Sequence, residues 1–319
     1  MDLIWIILIS IVAAAIIFVF GPAAVCYLKV FYAPKRKKHD DDFIDLPPGK
    51  SYEPFYPDMI EWTKRARSTP HKKVEMVTFD GLTLRGRYYE VSPNAPIEIM
   101  MHGYQGNMER DLSGGVFRAM DIGHNVLAFN HRGCGDSDGN CQTFGIMESR
   151  DCRMWIDYVI NNINKDAKII LSGVSMGAAT AMITSGFDDL PDNVVGIIAD
   201  CGYTSAKEIV KKVVSDIHLP ADFLYPFVKL GAKLFGHFDL DELSPIEQVK
   251  KSKIPTIFVH GEIDDLVPTQ MSERNYEACA APVKKLLFIK DANHGLAFPV
   301  AREGYLDALR EFFDPIINK

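Results

Sequence analysis

The chain has 319 residues, 47% of them hydrophobic and 24% charged, with a formal net charge of -7. This is ordinary globular composition, long enough for one large domain and an attachment. The acidic balance, with no basic stripe in the body, excludes nucleic acid as the main partner, because phosphate binding draws on an excess of Lys and Arg.

The first element is "LIWIILISIVAAAIIFVF", residues 3 to 20, which carries no charge and continues apolar through Gly21 and Pro22 to about Leu28. That is enough to cross a hydrocarbon core of roughly 30 Å. A cleaved signal peptide would need a basic start and a small-residue cleavage site; Asp2 stands where the basic residues belong, so the stretch is expected to be an uncleaved single-pass anchor over residues 1 to 32. Lys29 and the block Lys35 to Lys38 follow it. By the bias of basic residues toward the cytoplasmic side, the body of the chain is expected in the cytoplasm at the cell membrane. The six cysteines agree, being scattered without CxxC pairs or metal-ligand spacing, as thiols of a reducing compartment are.

Residues 33 to 50, "APKRKKHDDDFIDLPPGK", read as a charged linker ending in a Pro-Pro stop. The Gly49-Lys50-Ser51 in and after it is not a phosphate loop, since Ile44 stands where a Walker motif requires its first glycine. Around Trp62 a helix is expected, packed on the body.

From Val74 onward strand-like and helix-like patterns alternate, the signature of a mostly parallel sheet flanked by helices. "VEMVTF" and "LTLRGRYYEV", split by Asp80-Gly81, alternate with period two and read as a hairpin. Near-continuous apolar runs suited to buried parallel strands follow at 97 to 101, 125 to 129, 168 to 172, 194 to 199, 254 to 259 and 283 to 289. A helix from Glu148 puts Trp155, Val159 and Ile160 on one face. The interval from about Tyr203 to Pro245 breaks the rhythm: it is helix-like and aromatic-rich, and reads as an inserted cap at about 203 to 245.

The chemistry-bearing residues cluster just after strand ends, where parallel sheets place their ligand crevice. After the first core run comes His102-Gly103-Tyr104-Gln105-Gly106-Asn107. After the run at 168 to 172 comes "GVSMG", with Ser175 between Gly173 and Gly177. The last two strands are followed by "HGEIDDLVP" from His260 and by Asn293-His294-Gly295. A serine at a helix start is an ordinary cap; a nucleophile additionally requires a base, an acid and oxyanion donors elsewhere in the chain, and candidates for all three are present.

The order Ser175, Asp264, His294, the GxSxG turn, the HGxxGN turn, the "RGCGDSDG" loop (132 to 139), HGxxDxxVP and the late Asn-His-Gly together resemble the α/β-hydrolase superfamily, over about Val74 to Phe313. Within it, "HGYQGN", "GDSDGNCQTFG", "GVSMGA" and "ADCGYTS" are similar to bacterial membrane-anchored serine hydrolases of unassigned substrate. The resemblance implies an α/β-hydrolase domain over residues 51 to 319. It implies Ser175 as nucleophile, His294 as general base and Asp264 as the acid that orients it, with an oxyanion hole from the backbone N–H groups of Tyr104 and Met176. Asp265 and Asp200 are the rival acids. His102 and His260 are expected to bond strand-end backbone, His131 to be a bystander and Asp291 a turn residue.

The expected reaction is hydrolysis of a carboxylic ester through an acyl-enzyme, with peptidase, thioesterase or acyltransferase chemistry on the same triad as alternatives and a non-catalytic ligand-binding protein as the reading of another class. No cofactor and no metal are implied. The expected partners are a small-molecule or lipid-like acyl substrate and the membrane.

Overall fold

The apolar runs become strands. A computed structural model of the chain describes residues 3–34 and 42–318, with the side chains of 12–15 left aside; the basic block Lys35 to Lys38 lies outside the described residues. The strands are β1 (Lys72–Val77), β2 (Thr83–Tyr89), β3 (Ile97–Met101), β4 (Asn125–Phe129), β5 (Ile169–Val174), β6 (Val194–Asp200), β7 (Thr256–Gly261) and β8 (Lys284–Ile289). The helices are α1 (Leu3–Val30), α2 (Tyr56–Ser68), α3 (Met108–Asp121), α4 (Ile146–Asn162), α5 (Met176–Thr184), α6 (Ala206–Asp216), α7 (Ala221–Phe235), α8 (Pro245–Val249), α9 (Thr269–Ala278), α10 (Ala297–Val300) and α11 (Arg302–Ile317).

The chain divides into two compact units. The larger holds an eight-stranded sheet in the order β1-β2-β4-β3-β5-β6-β7-β8, with β1, β2 and β4 antiparallel neighbours and every pairing from β4 to β8 parallel. β3 and β4 are buried along their whole length, as strands covered by helices on both faces must be, and this is why their sequences run apolar without alternation. The chain leaves β3 for β4 on one side and then crosses to β5 on the other. That reversal opens a crevice above the carboxyl ends of β3 and β5, the usual ligand position in an open α/β sheet.

On one face Trp155, Ile156 and Val159 of α4 pack with Leu127, Phe129 and Leu171 of the sheet; on the other, Leu309, Phe312 and Phe313 of α11 pack with Ile170, Ile198 and Ile257. Trp62 of α2 lies against α3 where Gly114 leaves room: a Cβ there would come within 2.7 Å of the indole. The described part of the linker is pinned to this unit, with Arg67 donating to the Phe43 carbonyl at 2.7 Å, Tyr56 to that of Pro47 at 2.9 Å and Asn107 to Asp45 at 2.8 Å.

The smaller unit joins residues 3–32 to residues 206–242, segments that the sequence reading assigned separately to an anchor and to a cap. α1 is long and apolar enough to cross a membrane, with a mean hydropathy of 3.2 over its best 18-residue window. Its first described turns are exposed, whereas Ala23 and Phe31 near its end are buried. The Tyr27 ring meets that of Phe235 at 5.7 Å and Phe31 meets Phe238 edge-on at 5.2 Å. Gly231 lets α7 approach closely, since a Cβ there would lie 2.4 Å from the Ala23 oxygen. Tyr225 and Lys229 both reach Asp241, at 2.6 and 2.5 Å, and fasten α7 to the segment after it.

Candidate active site

Ser175 is the single residue between β5 and α5. The turn is so tight that a Cβ on Gly173 would lie 2.1 Å from the Gly177 carbonyl carbon, and one on Gly177 2.0 Å from the Met101 oxygen of β3. No side chain fits at either place. Ser175 itself takes φ 56° and ψ -115°, backbone that a non-glycine residue holds only when its surroundings enforce it. Here the enforcement includes its N–H, which donates to the Asp200 carbonyl at 2.8 Å.

The loops after β7 and β8 are tied together by Asn293. Its Oδ1 accepts the N–H of His294 at 2.6 Å and that of Asp265 at 3.2 Å. Asp291 turns the chain before it with φ 59°. The result is that His294 Nδ1 lies 2.8 Å from Asp264 Oδ2. A carboxylate only accepts, so Nδ1 carries a proton, and in the neutral ring the lone pair is on the outer nitrogen, Nε2.

Asp264 is held on every side. Its side chain has no solvent exposure; Oδ1 accepts the N–H groups of Leu266 and Val267 at 2.9 and 2.8 Å, and Oδ2 is also 3.1 Å from His260 Nε2. Burial pushes the carboxyl pKa up, but the hydrogen bonds from His260 and His294 and the Val267 N–H outweigh it and hold the group well below the usual carboxylate range. Asp265 is exposed. Asp200 is buried, accepts from Tyr305 at 3.0 Å through Oδ2, and leaves Oδ1 without a partner; burial raises it to about 6.

His294 and Ser175 lie on neighbouring loops. A Cβ on Gly295 would be 3.6 Å from the Val174 side chain, and the backbones of both Gly295 and Ser175 approach the Cys201 thiol. Among the described residues the cluster with metal-ligand spacing is Cys201, Asp264 and His294, with ligand atoms within 4.8 Å of one another. Asp264 Oδ2 is already engaged by His294 Nδ1 at 2.8 Å and His260 Nε2 at 3.1 Å, so the three side chains do not offer a free donor set to an ion.

The turn after β3 faces the serine. A Cβ on Gly103 would sit 3.6 Å from Ser175 Cβ. The Gly103 N–H donates to Asp111 Oδ2 at 3.1 Å, its carbonyl accepts from Gly106 N at 3.1 Å, and His102 Nδ1 contacts the same carbonyl at 2.8 Å. His102 Nε2 accepts the His131 N–H at 3.0 Å. Asn107 caps α3 by accepting from Glu109 and Arg110 at 3.1 and 3.0 Å. Tyr104 follows in this braced turn, its ring stacked on Phe144 at 5.1 Å and its hydroxyl accepting from Gln105 at 3.0 Å; burial pushes that hydroxyl up to about 12. Met176 opens α5, so its N–H lies in the first turn, where the helix offers no acceptor. His131 is fully buried, and burial lowers its pKa well below the ordinary value.

Three contributions were not read from the sequence: His260, which contacts the Val267 carbonyl at 2.8 Å as a backbone-bonding histidine should and is in addition a second partner of Asp264, Asn293 as the clasp between loops, and Asp111 as the brace of Gly103. The first two sit inside motifs that were visible, HGxxD and Asn-His-Gly, and only the fold shows what each touches. A small cavity adjoins the serine turn, lined by Trp62, Asp111, Asp200, Gly295 and Phe298 among others but not by Ser175.

Residues 99–239 match a family model described as alpha/beta hydrolase fold. The chain is 28% identical over 282 residues to the uncharacterized protein YqkD of Bacillus subtilis, with 88% of each chain covered. It is 24% identical to an uncharacterized membrane protein of Saccharomyces cerevisiae, across 78% of this chain and 82% of that one. Among solved structures it is similar to an esterase of Pyrococcus furiosus, with a TM-score of 0.66 at 25% identity over 80% of this chain and 95% of that chain.

Proposed function

We propose that this chain, which has the α/β-hydrolase fold, is a serine hydrolase that cleaves carboxylic esters through an acyl-enzyme, anchored to the cell membrane by α1 with its body in the cytoplasm. The observation that carries the reading is the strained Ser175 turn beside a histidine whose inner nitrogen is bound to a buried carboxylate. An ordinary helix cap needs neither the strain nor the histidine.

In this reading Ser175 Oγ attacks the ester carbonyl as His294 Nε2 takes its proton. The negative charge of the tetrahedral intermediate is met by the N–H groups of Met176 and Tyr104, both fixed by backbone rather than by side chains that must reorganise. Collapse breaks the bond to the leaving alkoxide, which receives the proton from His294; water then repeats the sequence and frees the acid. Asp264 keeps the imidazole in the right tautomer and stabilises the imidazolium. Its depressed pKa keeps it charged across the physiological range. The similarity to an esterase supports the ester as substrate class.

The test is covalent labelling of the full chain with a fluorophosphonate, with mass analysis of the modified peptide, beside turnover of p-nitrophenyl esters of graded chain length, acyl-CoA and peptide substrates. The expected outcome is an adduct on Ser175 and preference for esters. A chain that takes up no label is a binder, and one that labels but prefers the other substrates keeps the triad and loses the ester.

A further inference from the structure

The helices α6 and α7 and the turn between them present an apolar tip that no described residue of their own unit covers. Every residue from Ser215 to Pro220 is exposed. Ile217 is 62% exposed, Leu219 47% and Phe223, in the first turn of α7, 66%. Phe223 makes an edge-on contact with Phe227 at 5.6 Å and otherwise points outward. Large apolar side chains gathered at a turn between charged helices mark a surface that meets something other than water.

The way α7 packs on α1 says what that is. Gly231 meets Ala23 and Tyr27, the Phe235 ring meets Tyr27, and Phe238 meets Phe31. Numbers rise together on both sides, so the two helices run parallel. Going back from Gly231 to Phe223 is eight residues, about 12 Å of helix, and it leads along α1 in the direction of Leu3. That stretch of α1 holds Ile16, Ile17, Phe18, Val19 and Phe20, all exposed and all apolar. A bilayer deep enough to take them reaches the tip of the hairpin.

Charge is arranged to permit this. The carboxylates nearest the tip are each paired with lysine, Asp216 with Lys212 at 2.6 Å and Asp222 with Lys211 at 2.5 Å. Lys29 and Lys233 are exposed close to the place where the two helices cross, ten residues of α7 or about 15 Å from Phe223. Basic residues at one level and apolar ones a helical turn or more deeper is the arrangement of a segment lying in the headgroup boundary.

We propose that the α6–α7 hairpin is a second membrane contact, in which Ile217, Leu219 and Phe223 enter the same leaflet as the carboxyl-terminal part of α1, the partner of this face being a phospholipid bilayer surface. The proposal rests on the reading of α1 as a membrane anchor and goes beyond it, because a single-pass anchor alone leaves the rest of its unit in water.

The experiment uses the full chain in vesicles of phosphatidylcholine and phosphatidylglycerol, prepared with and without bromine on the acyl chains, which quenches tryptophan at that depth. Trp5 reports α1, read as the difference between the wild type and Trp5→Phe. In the Trp5→Phe background, Phe223→Trp reports the tip and Lys207→Trp the far end of α6; both sites are exposed, and Trp62 and Trp155 cancel in the differences. The expected result is strong loss of emission from Trp5 and from position 223, with little loss from position 207. Quenching of Trp5 with none at 223 overturns the proposal and leaves the anchor intact. No quenching of Trp5 overturns the anchor reading, and the proposal falls with it.

Discussion

The Ser175 turn and the seam between α1 and α7 are both places where backbone meets backbone across a glycine, with clearances near 2 Å for an added Cβ. At the turn, the two glycines and the serine lie within five consecutive residues, next to a strand whose apolar run announces it. At the seam, Ala23 and Gly231 belong to segments far apart in the chain, in helices with no local feature that names a partner. At the turn Gly173 is pressed by Gly177, four residues on, a short-range requirement that writes a pattern into the sequence even though Gly177 in turn meets Met101 of β3. The closeness at the seam comes from shape alone, and small residues in apolar helices are too common to signal it.

The comparison breaks most decisively if the turn is only steric. Ser175→Ala and His294→Ala are each expected to lower kcat by about 10⁴-fold or more on the best ester substrate, and the double variant no further, because members of a triad act as a unit. A double variant slower by the product of both effects would sink the assignment. Asp264→Asn should lose about 10³ to 10⁴-fold by presenting the wrong group to His294 Nδ1. Asp265→Asn, on an exposed side chain, should stay near wild-type rates. Steady-state kinetics on the five variants settles the order.

Glycine replacements sharpen the contrast. Gly173→Ala and Gly177→Ala drive a methyl into backbone and are expected to cost about 3 kcal/mol or more, the upper part of the range for overpacking. They should also lose fluorophosphonate labelling, since the turn cannot close on the serine. Gly231→Ala meets the Ala23 oxygen in the same way and should loosen α1 from α7, seen as faster proteolysis of residues 206–242, while labelling of Ser175 persists. Loss of labelling in Gly231→Ala would erase the distinction between the two regions.

How much could be read in advance follows the same division. All eight strands were legible: parallel strands buried on both faces need unbroken apolar runs, the half-buried edge strand β8 still carries one from Leu286 to Ile289, and an antiparallel hairpin needs alternation around Asp80-Gly81. The positions of Ser175, Asp264 and His294 after strand ends were legible as spacing. The bond from His260 to Asp264 was not, since a histidine before a glycine at a strand end is equally suited to backbone contacts alone, as His102 demonstrates by bonding the Gly103 carbonyl and the His131 N–H. Nor was the grouping of α1 with the cap helices, which depends on ring contacts such as Phe31 with Phe238 between segments that sequence order keeps apart.

The smallest expected effect concerns Asp200, whose carbonyl holds the serine turn while its side chain sits buried with one oxygen unpartnered. Burial raises its carboxyl from 3.8 to about 6 in the folded chain. Below pH 4 the group is protonated in both states and costs nothing. As pH rises from about 4 to 6 the unfolded chain releases its proton while the folded chain keeps it, so stability falls across that window and stays lower above it. Asp200→Asn removes the titration, and its amide oxygen can still accept from Tyr305. The variant should match the wild type near pH 4 and melt higher at pH 7, by an amount corresponding to about 1 kcal/mol, under a ceiling of about 3 for a two-unit shift. Asp151 is also raised to about 6 and contributes the same slope to both proteins, so the quantity to follow is the difference in melting temperature at each pH. A constant difference from pH 4 to 7 would mean that Asp200 is ionised throughout and that the serine turn carries a buried charge beneath it.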